Sequence, residues 1–539
     1  MSVRDESLKI GTVVSVDGAA ITVEAERLSV RIDDTTEEHI TVGSFVNCGG
    51  THGDVLCVVT RAWQELAERR NKSDDETRIL TDVKMVELVA VGMIEQGFRR
   101  GVERLPPVGC PAYFVTGDAF EALIGKAADD DLRRRLFPVG HRVGTANGKA
   151  QFDLDKFFGR HVAILGTTGS GKSYTVASLA QSVLTSYARP RLVFFDLHNE
   201  YGAAFEGERA TCVGWSEFRL PIWMLSFDEL VDICVGSVGG NQEAFLRKHL
   251  QAVREAAHEK RENDVVSVDT PVPFDWQSLV ERLENEASAI SDKRDRESIV
   301  KVIEKMKARR RDPRYAFLFE EHAKDAAAFF QKVFGLRQDD RESHVTVLDL
   351  SGLPAEIRAG VIGVLGRLFF EYKYWDIDPE SLPIALVLEE AHSYIPSDGD
   401  AIYKGALESI ERIAKEGRKY GLSLVVVSQR PANVSPTILS QCGTFVALRL
   451  TSDVDQERVL RLFPDTIGKQ ASLLSSLRDG EAIVSGDGVT LPGRVQFVRP
   501  SPPPRSKDVR YHKSWTDGPP DGYGGAGVVR RWLQQKRSI

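Results

Sequence analysis

The sequence predicts an α/β fold: a mainly parallel sheet covered by helices on both faces, preceded by a small β-barrel and interrupted by a helical bundle. Three observations carry that prediction. Short apolar runs at Val162–Leu165, Leu192–Phe195, Val345–Leu350, Ile384–Leu388, Leu422–Val427 and Thr444–Leu448 alternate with segments of helical spacing, as strands buried on both faces do. Upstream, the β-branched runs Thr12–Val16, Ala20–Ala25, Ser44–Val46 and Val55–Thr60 are broken by Asp17-Gly18, Gly49-Gly50 and Gly53, the pattern of short strands joined by tight turns. Between Gly240 and Ser343 the strand pattern stops. There Phe245, Leu250 and Val253, then Leu279, Val280 and Leu283, then Ile299, Val302, Ile303 and Met306 recur at helical spacing, with Thr270–Pro273 as a break.

In order, residues 1–147 form the barrel module, 148–239 the first part of the α/β core, 240–343 the inserted bundle, 344–498 the second part of the core, and 499–539 a tail. Within the barrel module Met85–Ile94 adds a strand. The charged stretch Glu65–Thr77 is expected as a solvated helix and loop, and Pro106–Gly109 as a turn before a strand at Ala112–Val115. The block Asp129–Asp131 with Arg133–Arg135 reads as an exposed helix. In the bundle, the basic run Lys307–Arg311 is either a solvated helix end or a phosphate contact. Pro500–Arg505 is a stiff extended linker, Gly518–Gly525 has no core of its own, and Val528–Lys536 suits a short basic helix; were the chain to assemble as a ring, such a tail would lie across the neighbouring subunit as a brace.

Composition bounds the function. Of 539 residues 42% are hydrophobic, enough for more than one core, and no apolar run is long enough to span a bilayer. The charged N-terminus is unlike a signal peptide, so the expected location is cytoplasmic, with no membrane partner. The six cysteines show no metal-ligand spacing, which argues against a zinc site. A formal net charge of −8 excludes a surface that is basic all over, so any nucleic-acid contact is confined to a local patch or pore.

The chemistry is concentrated in a few stretches. Gly166–Ser173 fits G-x-x-x-x-G-K-S/T between an apolar strand and an amphipathic helix. Gly166, Gly169 and Gly171 let the backbone wrap a phosphate chain, with Thr167, Thr168 and Ser170 completing the loop and Tyr174 following it. Lys172 then reaches the β- and γ-phosphates of ATP, and Ser173 places its hydroxyl on Mg²⁺. The strand Ile384–Leu388 ends in Glu389 and Glu390. One acid there holds the metal's hydration shell and the next activates water, which assigns Glu389 to the metal and Glu390 to the general base. Asp196 and Glu200 end the strand after the phosphate-loop helix, where they approach the metal and the attacking water or, alternatively, order their own loop. Glu200 is thus a second candidate base. Gln429, at a strand end, suits a γ-phosphate sensor, and Arg418 and Arg430 are both candidates for an arginine supplied to a neighbouring subunit.

Taken together, Gly166–Ser173, Asp196–Tyr201, Leu348–Leu353, Glu389–His392, Glu416–Gly421 and Ser428–Pro431 resemble the HerA family of the HerA/FtsK ATPase superfamily. The resemblance spans nearly the whole chain, with Gly480–Gly486 as the family's closing strand. It implies a RecA-like core and a homo-hexameric ring that hydrolyses ATP at subunit interfaces and moves double-stranded DNA through a central channel. It also implies an effector on the barrel face, a nuclease or a sirtuin-like NAD-consuming enzyme, in DNA end processing or anti-phage defence. In that frame Arg418 is the trans finger, Gln429 the sensor and Arg160 a second basic residue near an interface phosphate; Ser397–Lys404 is a channel loop. Leu197 and Asn199 stand where the family often has Pro and Gly, and Glu389 where Asp is usual. A second reading keeps the ring as a nucleotide-switched scaffold that assembles its effector without processive translocation.

Overall fold

The protein is represented by a computed structural model. It describes residues 5–18, 20–32, 37–50, 53–71, 74–95, 98–127, 130–145, 148–205, 207, 210–215, 217–258, 265–319, 325–336, 343–398, 401–464, 470–506, 509–519 and 523–533. Two compact units result, one from residues 1–188 and 423–503, the other from 189–422 and 504–539.

The first unit begins with nine strands: β1 (Lys9–Asp17), β2 (Ala20–Ala25), β3 (Ser29–Arg31), β4 (Glu37–His39), β5 (Phe45–Gly50), β6 (Gly53–Asn71), β7 (Asp74–Ile94), β8 (Phe98–Arg100) and β9 (Pro111–Phe114). The order β2-β1-β9-β5-β6-β7 closes through an antiparallel β2–β7 ladder into a six-stranded barrel, with β8 alongside β7. Closure leaves no free edge among those six, and the inward residues Ile10, Val13, Ile21, Val23, Val46, Val86, Leu88 and Phe114 fill the interior.

One expectation fails here. Glu65–Thr77 is not helix and loop, because β6 and β7 run on as a ribbon whose ladder continues from Arg61↔Glu87 to Arg70↔Arg78. Its first residues, Arg61 to Leu66, are exposed apart from half-buried Trp63. Over Arg61–Leu66 buried and exposed positions do not alternate, so this stretch imposes no period-two apolar pattern and leaves no strand signal in the sequence. The charged block after it does form an exposed helix, Asp130–Arg135.

The rest of the first unit is a seven-stranded sheet of β10 (Leu136–Arg142), β11 (Lys149–Asp153), β12 (Val162–Leu165), β17 (Leu422–Ser428), β18 (Thr444–Ala447), β19 (Glu481–Gly486) and β20 (Gly493–Phe497), in the order β11-β10-β20-β19-β18-β12-β17. β12 lies parallel to β17 and β18, whereas the pairs from β18 to β11 are antiparallel. Because β10 pairs with β20 and β11, the change from barrel to α/β sheet falls at about Leu136, earlier than residue 148.

The second unit holds β13 (Leu192–Asp196), β14 (Ala210–Val213), β15 (Val345–Asp349) and β16 (Ile384–Leu388), all parallel in the order β16-β13-β15-β14. Every residue of β13 and β16 is buried, matching their uninterrupted apolar runs. Between β14 and β15 the chain is helical among the described residues, with helices Phe227–Cys234, Gly240–Ala257, Trp276–Ser288, Lys293–Arg311 and Ala326–Phe334. Arg254 is fully buried at their base. Its guanidinium donates to the carbonyls of Val268, Trp223 (3.2 Å) and Leu225 (2.7 Å). No helix among the described residues is long and apolar enough to cross a membrane.

Candidate functional site

In the first unit, β12 delivers the chain into Gly166–Ser173, and the helix Lys172–Ser186 leads away from it. The loop is held from both sides. Gly166 donates its N–H to the Ser428 carbonyl at the end of β17 (3.1 Å), and Thr167 donates N–H and hydroxyl to the Arg449 carbonyl (3.0 Å each). Gly169 (φ +75°) and Gly171 (φ +90°) occupy the left-handed region, and a Cβ on Gly171 would lie 2.7 Å from the Gly480 nitrogen. Gly171 is the N-cap and supplies no side chain, so the first N–H groups of the helix are left for an anion. Lys172, Ser173 and Tyr174 are half-buried on the first turn, and Ser170 is buried.

Two further contacts hold this loop. Thr168 donates its hydroxyl to Gln429 Oε1 at 2.6 Å, so the expected sensor touches the loop directly. Arg449, which the sequence reading missed, donates Nη2 to the Gly169 carbonyl (2.9 Å) and Nη1 to that of Leu477 (3.2 Å), and pairs with Asp479 (2.8 Å). No motif flags it, because it stands far along the chain and meets the loop only through the sheet order. Arg160 is ion-paired to Asp487, and Arg430 is exposed.

In the second unit the acids converge. Glu389 and Glu390 follow β16 and are buried, at 3% and 7% exposure. Glu390 sits at φ +47°, ψ +45°, a left-handed conformation that costs a non-glycine residue energy and persists where the surroundings impose it. Ser393 N–H donates to the Glu390 carbonyl (2.8 Å), Tyr394 hydroxyl donates to that of Glu389 (3.0 Å), and His392 Nδ1 lies 3.2 Å from Glu390 Oε2. Glu389 Oε2 accepts the Leu197 N–H (3.0 Å) and Oε1 lies 3.6 Å from His198 Nδ1. Burial pushes Glu389 up to about 8. The bond to Glu389 in turn raises His198 above the usual imidazole range.

His198, Glu200 and Glu389 bring one donor atom each within 4.8 Å of one another, a set able to hold a cation. Asp196 does not belong to it. Its carboxylate is buried and accepts the N–H groups of His198 (3.2 Å), Glu200 (3.1 Å) and Tyr201 (2.9 Å), so it orders the loop. Asn199 stands at φ +57°, where glycine is at ease and asparagine is tolerated. Arg418 is exposed on the turn Gly417–Tyr420. Of Ser397–Lys404, residues 399–400 lie outside the described residues, and Ala401–Tyr403 is a short 3₁₀ turn.

Residues 137–369 match the family model described as the central domain of the helicase HerA. The chain is 27% identical over 495 residues to a probable helicase of Methanocaldococcus jannaschii, covering 86% of this chain and 88% of that protein. To the DNA double-strand break repair helicase HerA of Saccharolobus solfataricus it is 27% identical over 382 residues, 69% of this chain and 71% of the other. The protein of the same name from Pyrococcus furiosus is 25% identical over 464 residues, 77% and 78% of the two chains. Among solved structures, VirB4 of Thermoanaerobacter pseudethanolicus is similar with a TM-score of 0.48 at 18% identity, over 70% of this chain and 97% of that one.

Proposed function

We propose that this chain is a HerA-type ATPase, the ATP-hydrolysing motor subunit of a ring that moves double-stranded DNA. The observation that carries the proposal is the loop Gly166–Ser173, wound through left-handed glycines onto a helix terminus that no side chain caps. Those residues fit a nucleoside triphosphate with Mg²⁺: backbone N–H groups receive the phosphates, Lys172 balances their charge and Ser173 offers its hydroxyl to the ion. Bound Mg²⁺ supplies further neutralisation of the triphosphate. Within the second unit, Glu389, Glu200 and His198 form their own set suited to a cation.

Glu390 is the general base in this reading, its carboxylate held by the left-handed turn and by His392. Gln429 reports the state of the loop through Thr168. Arg418 is offered to the nucleotide of a neighbouring subunit, with Arg430 as the alternative. DNA as the cargo is supported by relatives named as DNA double-strand break repair helicases. A ring of six, a central channel for DNA and an effector such as a nuclease on the barrel complete the proposal.

Paired substitutions test it. Lys172→Ala is expected to abolish nucleotide binding, and Glu390→Gln to retain ATP without hydrolysing it, measured by nucleotide retention and phosphate release with and without duplex DNA. Normal turnover in Glu390→Gln would transfer the base assignment to Glu200, and turnover indifferent to DNA would remove the translocase reading.

A further inference from the structure

Helix Lys293–Arg311 of the second unit carries nine basic and three acidic residues in a chain of formal net charge −8. Its inner face is Ile299, Val302, Ile303 and Met306. Much of the charge is already used. Lys293 pairs with Glu297 (3.9 Å), and Lys307 pairs with Glu304 (3.4 Å) and Glu284. Arg309 lies 4.5 Å over the Tyr315 ring, and Arg310 donates to Gln277 (3.2 Å). The C-terminal basic run is therefore largely engaged within the bundle.

Arg294, Lys301 and Lys305 differ. All three are exposed, and none has an acidic partner among the described residues. Spaced by seven and four residues, they fall within an arc of about 40° on the helix and form a stripe about 16 Å long. The acids beside them, Glu297 and Glu304, are taken by Lys293 and Lys307. The exposed face has no aromatic residue and one large apolar one, Val300. It therefore lacks both the apolar anchors of a protein interface and those of a membrane-binding helix.

We propose that this stripe, on a helix that carries none of the residues of hydrolysis, docks the phosphate backbone of double-stranded DNA. A straight row of unpaired cations on a rigid helix matches a linear polyanion, and about 16 Å spans roughly five base steps of 3.4 Å. The contact is sequence-independent, since phosphates carry no base information. It rests on the reading that the chain acts on DNA, and the test separates the two.

The full-length chain and its combined Arg294→Ala, Lys301→Ala and Lys305→Ala variant would be titrated with a random-sequence duplex by fluorescence anisotropy across a salt series. Each lost phosphate contact removes about 0.9 from the slope of log affinity against log salt, so the slope should fall by roughly 2.7, with DNA-free ATPase activity unchanged. Arg294→Lys should keep its share of the slope. An unchanged slope in the triple variant overturns the proposal. So does a variant that loses binding to phosphatidylserine vesicles while keeping its DNA slope, which would assign the stripe to a membrane. If the unsubstituted chain binds no duplex at any salt, the DNA-motor reading falls together with the stripe.

Discussion

Glu389 shows how a single side chain departs from the pattern its motif suggests. The extra methylene relative to Asp lets its carboxylate accept the Leu197 N–H, a bond that Pro at position 197 has no proton to make. The departures at 197 and 389 are therefore matched to each other in space. Glu389 and His198 both hold their protons more tightly in the folded chain than in the unfolded one. The contribution of Glu389 to stability is thus complete at low pH and is lost as pH rises through about 8, and that of His198 has the same sign. Thermal melts should fall in midpoint across that range, and Glu389→Gln should flatten the fall; parallel profiles for the two proteins would refute the assignment. Arg449 supports the phosphate loop from behind, and Arg449→Ala should weaken nucleotide binding by roughly tenfold, the loss of one charge-assisted hydrogen bond, as read by a fluorescent-nucleotide titration.

At the scale of elements, strands buried on both faces were readable because burial forces continuous apolar runs, as in β12, β13 and β16. The outer ribbon of β6 and β7 was not, since its exposed residues answer to the ladder alone. The strands β10, β11, β14 and β20 escaped for a related reason: short runs with mixed burial resemble loops. In the inserted helices the apolar spacing at Leu279, Val280 and Leu283 was legible, whereas the buried Arg254 was not, because only packing turns a helix-surface arginine into a clamp on three carbonyls. Burial lowers its guanidinium to about 10, which leaves it charged at neutral pH. Arg254→Met strands those carbonyls and should destabilise the second unit by about 3 kcal/mol, visible as an earlier urea transition.

At the scale of the whole molecule, Arg418 is exposed, and the trans role proposed for it makes a prediction about mixed assemblies. Subunits carrying Arg418→Ala mixed with subunits carrying Lys172→Ala should recover part of the ATPase activity that neither has alone, because some shared interfaces then hold one intact loop and one intact arginine. No recovery at any ratio would remove the trans assignment. The tail touches its own chain at its start: Ser501 and Pro502 bond to Gln181 in the first unit, and the Arg505 N–H donates to the Glu200 carbonyl in the second. The later helices Tyr511–Asp517 and Ala526–Leu533 are exposed throughout their described residues. By itself the sequence determined the α/β class, the phosphate loop and the paired acids, because strand burial and phosphate binding each demand particular residue types at fixed local spacing. Only the tertiary structure decided that Asp196 orders a loop, that His198 joins Glu200 and Glu389, and that Arg449 supports Gly169. Those roles depend on which atoms meet after distant segments pack, and local spacing carries no record of that meeting.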